Sequence, residues 1–416
     1  MNILRIRDAA DVEGAVRAAV AGEQPLEIIG HGSKRSIGHA MTTNAVLDLS
    51  ALNAVISYEP HELIVTVQAG APLDEVVPLL DSRNQEFAFE PMDTAALLGV
   101  RPGRGTVGGM IGAGLAGPRR IKAGGVRDHL LGAHAVSGFG DGFKAGGRVV
   151  KNVTGYDLCK LLAGSWGTLA VMTEVTLKVM PKAEAERTLV LRRLDDVTAN
   201  RAMTAAMGSP YDVSGAAHLP HSALKAARGA LAGLASTGQA ATLLRLEGIK
   251  ASLPHRGAAL AAHLASFGAG ELVEDSESAA LWRDVRDVAP FAADGPLGAW
   301  PVWRIVCPPA SGGGFGQALA RETGGEVVYD WGGGLLWAAL PPSVDVVNAH
   351  AASLRRRLAS LGGHATLLRA DDALRRTVDV FPPQAKGVAA LAERVRRSFD
   401  PESIFNRGRL TRTLIS

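Results

Sequence analysis

The chain has 416 residues, of which 47% are hydrophobic and 20% are charged, and this composition is that of a globular protein with about two or three domains. The 44 lysines and arginines nearly balance the 41 aspartates and glutamates, and a net charge of +3 argues against a protein that mainly binds nucleic acid or an anionic membrane. Two cysteines, Cys159 and Cys307, are too few for a disulfide framework or for an iron–sulfur cluster held by this chain.

The first 181 residues alternate short apolar segments with amphipathic ones. Strands are predicted at Leu26–Gly30, Ala45–Leu49, Leu63–Gln68, His129–Ser137, Gly147–Val150 and the second half of Gly164–Met180. Helices are predicted at Ala71–Leu80 and Tyr156–Ala163, and Gly140–Gly142 is predicted to be a hairpin turn. Neither a secretory signal nor a membrane-spanning stretch is visible, which predicts a cytoplasmic protein.

After Pro181 a charged stretch indicates a domain boundary, and the pattern of elements changes. Strands are predicted at Thr188–Arg192, Ala241–Glu247, Val302–Val306 and Leu335–Leu340. Alanine-rich helices are predicted at Asp196–Met207, Arg256–Phe267 and Val344–Leu361, followed by a C-terminal helix at Lys386–Arg397. This rhythm predicts an α+β sheet that helices cover on one face.

Glycine is the most unusual feature of the composition, with 49 residues in a chain of 416. The glycines are densest between Gly99 and Gly167. Two Gly-x-Gly-x-x-Gly matches lack the preceding apolar strand that a dinucleotide fingerprint needs, so a Rossmann site is not favoured. The loops Gly30–Gly38 and Gly103–Gly114 have cations nearby, including Lys34 and Arg104, and their backbone N–H groups could accept the oxygens of a diphosphate. Flexible surface loops are the alternative interpretation.

Known catalytic motifs are absent from the sequence. The eleven histidines have no metal-binding spacing, and no Gly-x-Ser-x-Gly motif occurs, so neither a catalytic metal nor a serine nucleophile is predicted. His350 and His364 are the histidines of the second part considered as bases. Its other conspicuous side chains are Trp300, Trp303, Arg304 and Trp331.

The segment 146–178 carries a family resemblance. It contains Lys151-Asn-Val-Thr-Gly-Tyr-Asp and Gly164-Ser-Trp-Gly-Thr-Leu with a following Thr-Glu, and it resembles the FAD-binding domain of the vanillyl-alcohol oxidase (PCMH-type) flavoproteins. Within that family it is most similar to the FAD-binding E subunits of bacterial glycolate oxidases. Gly362–Arg369 and Phe405–Arg409 extend the resemblance toward the C-terminus.

The resemblance implies an α+β fold with a two-part PCMH-type FAD-binding domain at residues 1–181. An α+β cap (substrate) domain would follow at 182–375, and residues 376–416 would return to the FAD domain. The first loop would hold the pyrophosphate, and the stretch from residue 167 to residue 171 would lie against the adenosine end. The residues that the resemblance assigns to FAD are Gly30, His31, Gly32, Ser33, Lys34, Thr106, Gly108, Gly109, Gly112, Gly167 and Val171.

Departures from the family pattern define further expectations. His31 does not stand in the Arg-x-Gly-Gly-His context of relatives that attach FAD covalently, so FAD is expected to be non-covalent. The cap lacks the His-x-Gly-Asp-Gly-Asn-Leu-His segment of relatives that oxidise D-2-hydroxy acids. The catalytic residue therefore stays open, with His364 and Arg409 as candidates and no metal expected.

The function implied by the resemblance is that of an FAD-binding subunit of a complex that oxidises glycolate, a small 2-hydroxy acid, to glyoxylate. The implied partners are a catalytic flavin subunit and an iron–sulfur subunit, through which the chain could associate peripherally with the inner face of the membrane. A stand-alone FAD oxidoreductase acting on an alcohol, an aldonolactone or a 2-hydroxy acid and a non-catalytic assembly subunit are the alternatives.

Two glycines of the second loop provide a test of the FAD assignment. Valine at Gly108 or Gly109 is expected to abolish flavin binding, because a Cβ would contact the ligand and disfavour a positive φ. Gly313, in a predicted loop of the other domain, is expected to tolerate the same change.

Overall fold

The computed structural model describes residues 2–43, 45–148, 156–341 and 344–411, without the side chains of residues 344–349. Its strands are β1 Asn2–Arg5, β2 Leu26–Ile29, β3 Ala45–Asp48, β4 Val55–Glu59, β5 Ile64–Gln68, β6 Gln85–Glu86, β7 Leu130–Val136, β8 Gly142–Gly146, β9 Val171–Lys178, β10 Met180–Pro181, β11 Ala185–Arg192, β12 Val213–Leu219, β13 Ala241–Gly248, β14 Gly270–Glu274, β15 Val302–Val306, β16 Glu326–Asp330, β17 Leu335–Ala339 and β18 His364–Arg369. Its α-helices are α1 Ala9–Ala21, α2 Leu73–Asp81, α3 Ala95–Leu98, α4 Val107–Ala113, α5 Arg120–Ala123, α6 Val126–His129, α7 Cys159–Leu162, α8 Asp196–Met207, α9 His221–Leu224, α10 Gly229–Ala235, α11 Leu253–His263, α12 Asp275–Arg286, α13 Pro309–Thr323, α14 Val344–Leu361, α15 Asp372–Thr377 and α16 Lys386–Phe399.

The first part of the chain builds two small sheets. A parallel sheet has the order β1-β3-β2, and an antiparallel sheet has the order β4-β5-β9-β7-β8. Helix α1 begins where the carboxylate of Asp8 accepts the N–H of Asp11 at 2.8 Å, and it buries Val12 and Val16 against the parallel sheet. The short pair β6-β10 lies at the end of this part.

The second part forms one eight-stranded sheet in the order β14-β11-β13-β12-β16-β17-β15-β18, with every pair antiparallel. Alternation of side chains gives the sheet two apolar faces. Helices α8, α11, α13 and α14 cover the face that contains Trp303 and Ile305. The opposite face packs partly against the first part of the chain, in a cluster that includes Ala113, Leu115 and Trp331. This sheet therefore covers the glycine-rich segment of the first part.

The C-terminal segment returns to the first part. Ile404 and Phe405 are buried against the parallel sheet. The N–H of Leu26 donates to the Ile404 carbonyl at 2.7 Å, and the N–H of Asn406 donates to the Leu26 carbonyl at 2.9 Å. This return brings residues 406–409 to the carboxyl end of β2.

The structure confirms the α+β composition and most predicted strands, but it corrects several details. The partner strand of β7 is Gly142–Gly146 rather than Gly147–Val150, and the end of the predicted strand, 149–150, lies outside the described residues. Strands β12, β14 and β16 of the large sheet had no predicted counterpart, whereas the strand predicted around His364 is β18. Gly313 lies in helix α13 and not in a loop. Among the described residues, no helix is both long and apolar enough to cross a membrane.

Candidate functional site

A cavity opens where β2, α4, the loop before β9 and the C-terminal segment meet. It contains about 730 Å³ of empty space, part of which is open to solvent. The lining residues are Ile28, Ile29, Gly30, His31, Gly32, Ser33, Lys34, Arg35, Leu49, Ala69, Thr106, Gly108, Gly109, Gly112, Ala113, Trp166, Gly167, Ala170, Met172, Asn406 and Arg409. Lys34 and Arg409, which are 375 positions apart in the sequence, thus line one space.

The structure brings together ten of the eleven residues that the resemblance assigns to FAD. Val171 is the exception, because its side chain is fully buried in the core beneath the parallel sheet. Its neighbours Ala170 and Met172 line the cavity instead, as the alternation along an extended segment requires. Arg409, considered above as a catalytic residue, also lines this cavity.

Close backbone approach explains why glycines form this wall. A Cβ on Gly30 would lie 2.4 Å from Thr106 Oγ1, and Gly32 and Gly167 have φ values of +72° and +67°. Gly112 differs, because the nearest atom to its Cβ position is Gly167 N at 3.9 Å. Its missing side chain therefore leaves space in the cavity rather than relieving a protein contact.

Gly108 and Gly109 lie inside α4, so the expected positive φ is wrong for both. A Cβ on Gly108 would be 2.8 Å from the Ala69 carbonyl oxygen. The Thr106 hydroxyl caps this helix by accepting the N–H of Gly109 at 3.2 Å. Gly108 is therefore required for packing within the protein as well as for the shape of the cavity.

Two basic side chains border the cavity and have no carboxylate partner among the described residues. Burial lowers the pKa of the Lys34 ammonium, which has Ser33 Oγ at 3.4 Å, and Asp93 opposes this shift. Burial also lowers the pKa of Arg409 to about 10; its Nη2 donates to the Lys34 carbonyl at 2.6 Å, while its buried Nε has no partner among the described residues. Arg409 stays cationic at neutral pH, and Lys34 adds a second basic side chain to the same wall, so the cavity is suited to an anion.

Asn406 connects the walls of the cavity, and the sequence analysis did not identify it. Its Oδ1 accepts the N–H of Ile28 at 2.9 Å, and its Nδ2 donates to the Trp166 carbonyl at 2.7 Å. The residue itself has a left-handed φ of +41°, a conformation that asparagine adopts more readily than most residues. Asn406 lies in Phe405–Arg409, which extends the family resemblance toward the C-terminus. That resemblance is the sequence signal that could have identified it.

A network of buried charges joins the two parts of the chain beside the cavity. Arg245 donates to both carboxylate oxygens of Glu90, at 2.8 and 2.9 Å, and Arg119 donates to Glu247 at 2.6 Å and to Glu86 at 3.0 Å. Burial by itself would raise the pKa of Glu247, but Arg245 and Arg119 lower it to about 2. The network borders a cleft that Lys34 also lines.

The candidate bases do not lie in the cavity. His364 is exposed at the start of β18, opposite Val306, and its pKa is lowered by burial and by the charge of Arg304. His350 lies in α14, which packs on the other face of the sheet. Asp330, at the end of β16, is 4% exposed, and burial raises the pKa of its carboxyl to about 7.

Comparison with known proteins gives a family and relatives. Residues 2–146 match the model of a family described as "FAD binding domain". The chain is 30% identical to the glycolate oxidase subunit GlcE of Escherichia coli K12 over 401 residues, which cover 95% of each chain. It is 31% identical to the glycolate oxidase subunit GlcD of Bacillus subtilis over 174 residues, which cover 41% of this chain and 35% of that relative.

Solved structures show the same fold. The chain superimposes on p-cresol methylhydroxylase with a TM-score of 0.74 at 14% identity, covering 100% of this chain and 89% of that one. It superimposes on 4-ethylphenol oxidase from Gulosibacter chungangensis with a TM-score of 0.73 at 12% identity, covering 98% and 88%. These similarities confirm the predicted PCMH-type fold.

Proposed function

The chain belongs to the family of FAD-binding glycolate oxidase subunits that includes Escherichia coli GlcE, and we propose that it is the FAD-binding subunit of a complex that oxidises glycolate to glyoxylate. FAD is the cofactor of this family, and the chain is a member of the FAD-dependent oxidoreductases. The proposal extends this membership to a substrate, to partners and to the residues that hold the cofactor.

One observation carries the proposal: a single cavity has a wall of glycines and two basic side chains that make no ion pair within the part of the chain that the structure describes. The missing Cβ of Gly112 leaves backbone exposed on the cavity side, where phosphate oxygens or a flat ring system can approach closely, and the missing Cβ of Gly30 lets Thr106 pack against the first loop. Lys34 and Arg409 supply positive charge to a space that otherwise has apolar walls, such as Ile28 and Met172. These features fit the diphosphate and the aromatic rings of FAD.

Each part of the cavity has a distinct task in the proposed function. Residues 30–34 hold the pyrophosphate, while Thr106 and the α4 glycines face the adjoining part of the cofactor. Asn406 keeps β2 and the 166–167 backbone at a fixed separation, because it bonds to both. When bound, FAD supplies the capacity to accept a hydride from a carbon atom of the substrate. The chain itself positions the cofactor, excludes water and compensates its charge.

We further propose that a partner flavin subunit holds the main catalytic site and that an iron–sulfur subunit carries the electrons onward. The cavity of this chain includes one histidine, His31, which stands in the loop assigned to the pyrophosphate. Cys159 and Cys307 are both buried, and burial raises the pKa of each thiol to about 11, so neither is available as a thiolate ligand. Electron transfer beyond the flavin therefore needs another protein.

The proposed units are the FAD domain at residues 1–181, the cap at 182–375 and the returning segment at 376–416. In the proposed complex the chain is cytoplasmic, and it reaches the inner face of the membrane only through its partners.

Absorbance spectra of the purified chain test the proposal. We expect a flavin spectrum with about one FAD per chain and little bleaching when millimolar glycolate is added without oxygen. Addition of the partner subunits should restore rapid glycolate-dependent bleaching. A purified chain that neither contains nor takes up FAD would refute the cofactor assignment and favour an assembly subunit. Bleaching within seconds by the lone chain would refute the division of labour and show a complete enzyme.

A further inference from the structure

Trp331 connects the large sheet to the glycine-rich segment. It follows β16 directly, is 6% exposed and has a left-handed φ of +52°, which bulky residues rarely adopt. Gly332 and Gly333, which follow it, also have positive φ values, and the indole Nε1 donates to the Gly117 carbonyl at 3.0 Å. The local backbone therefore holds the indole ring against the segment that extends from α4.

Two guanidinium groups lie near this ring. The Arg120 guanidinium carbon is 4.6 Å from the Trp331 ring centroid, and the Arg304 guanidinium carbon is 5.1 Å from it. Arg120 comes from α5 in the first part of the chain, and Arg304 comes from β15 of the large sheet. The two parts of the chain thus place two positive charges around one aromatic ring.

Neither guanidinium has an acceptor. Among the described residues, the side chains of Arg304 and Arg120 make no hydrogen bond and no ion pair. The neighbouring interface arginines, Arg119 and Arg245, are by contrast fully engaged with glutamates. A guanidinium that stacks on an indole keeps its N–H donors, which lie in the plane of the guanidinium, free to donate to an anion.

Among the described residues, one carboxyl group lies within electrostatic range of Arg304 and compensates its charge only in part. This is Asp330, which is buried and accepts the N–H of Trp331 at 2.7 Å; burial raises its pKa to about 7, so it is only partly ionised at neutral pH. Burial, followed by the charge of Arg120, lowers the pKa of Arg304 to about 10, so the guanidinium is still cationic at neutral pH. A desolvated guanidinium that lies near a second one and has only a partly ionised carboxyl in range favours the entry of an anion.

Trp331 contacts the segment that follows helix α4, through the bond from its indole to the Gly117 carbonyl. Trp331 belongs to the same apolar cluster as Ala113 and Leu115, and Ala113 lines the cavity. We propose that Arg304 and Arg120 bind the carboxylate of a small organic acid beside Trp331, on the cap side of the cofactor cavity. The identification of that acid as a 2-hydroxy acid rests on the proposed function, whereas the anion site rests on the geometry alone.

Glycolate and its uncharged amide, glycolamide, test the site as a matched pair of probes. Their binding to the full-length chain as purified is followed by tryptophan fluorescence without oxygen, and the flavin absorbance is recorded on the same samples. We expect the wild-type chain to bind glycolate about ten- to a hundredfold more tightly than glycolamide, because guanidinium–carboxylate hydrogen bonds are charge-assisted.

Substitutions then test whether Arg304 and Arg120 cause the preference for glycolate over glycolamide. Arg304→Gln should remove most of the preference for glycolate, and Arg304→Lys should retain part of it because the positive charge remains. Arg120→Gln should weaken glycolate binding less, because this side chain is more exposed. Arg321→Gln, at an exposed arginine of α13, is the matched control and should bind like the wild type.

Two results would overturn the inference: a wild-type chain that does not distinguish glycolate from glycolamide, or an unchanged preference in Arg304→Gln. Thermal unfolding of each variant shows that it is folded, and Arg304→Lys remains informative if the glutamine variant is not. Flavin content and absorbance report separately on the proposed function. A chain that neither contains nor takes up FAD but still prefers glycolate would refute the cofactor assignment and support the anion site.

Discussion

Replacement of Gly112 by leucine separates cofactor binding from protein stability. Gly112 lies inside helix α4, and its Cβ position is 3.9 Å from the nearest protein atom, Gly167 N, which is an ordinary van der Waals distance. The new side chain therefore extends into the cavity that we assign to FAD without a clash at its base. Other glycines of the wall lack this property, since a Cβ on Gly108 would meet the Ala69 carbonyl.

The substitution is expected to change two free energies in opposite directions. Leucine has a higher helix propensity than glycine, so the free energy of unfolding of the flavin-free protein should rise by about 0.8 kcal/mol. Filling a cavity shaped for a ligand should cost the complex about 1–3 kcal/mol, which raises the dissociation constant of FAD by about 5- to 150-fold.

The assay is a titration of the flavin-free chain with FAD, followed by quenching of flavin fluorescence, with urea unfolding of the same preparations. Gly314→Leu is the matched control, because Gly314 is an exposed glycine in helix α13 with no atom within 4 Å of its Cβ position. It should gain the same helix propensity and bind FAD like the wild type. Wild-type FAD affinity in Gly112→Leu would show that the cofactor lies elsewhere.

Three further predictions concern the charge network, pH and the mode of FAD attachment. Arg245→Met should lower the free energy of unfolding by about 3–5 kcal/mol in chemical denaturation, because it leaves Glu90 buried without its guanidinium, and adding Glu90→Gln should recover part of this loss. Burial raises the pKa of Asp330 from its ordinary value of 3.8 to about 7, so between these two pH values the folded state holds a proton that the unfolded state has lost. This contribution should lower the free energy of unfolding by about 4 kcal/mol as the pH rises from about 4 to about 7, should add no slope above that, and should be absent in Asp330→Asn. A parallel pH dependence in the wild type and the variant would contradict the raised pKa. Acid precipitation should release all of the flavin into the supernatant, since His31 lacks the sequence context of covalent attachment, and flavin retained in the pellet would show a covalent bond.

Local sequence signals were sufficient to predict those strands and helices whose formation depends on residues that are close together in the sequence. Short apolar runs located β2, β3 and β5, and the proline and acidic residues of Ala71–Leu80 located helix α2. The glycine loops at 30–38 and 103–114 were also visible as candidates for anion binding. The strands that escaped detection are those whose burial depends on the large sheet: β12 is buried along its whole length because both of its faces are covered.

Glycines show the limit of sequence reasoning most clearly. Gly313 has the same local appearance as a flexible loop glycine, yet a Cβ there would lie 2.5 Å from the Asp196 carbonyl oxygen of helix α8. Valine at Gly313 would therefore damage the packing of two helices, and it cannot serve as the neutral comparison expected from the sequence. Whether a glycine provides space for a ligand, for a neighbouring helix or for nothing depends on atoms that are distant in the sequence.

The sequence by itself determined the family, the PCMH-type fold and ten of the residues that line the cavity, because these depend on motifs whose spacing is set by the chain. Only the tertiary structure decided that Asn406 joins β2 to the 166–167 backbone. It also decided that Arg304 and Arg120 meet at Trp331 with no side-chain acceptor from the described ranges, while Arg245 is paired with Glu90. The physical reason is that an arginine's role depends on the acceptors within about 3 Å of its guanidinium, and those acceptors come from the other part of the chain.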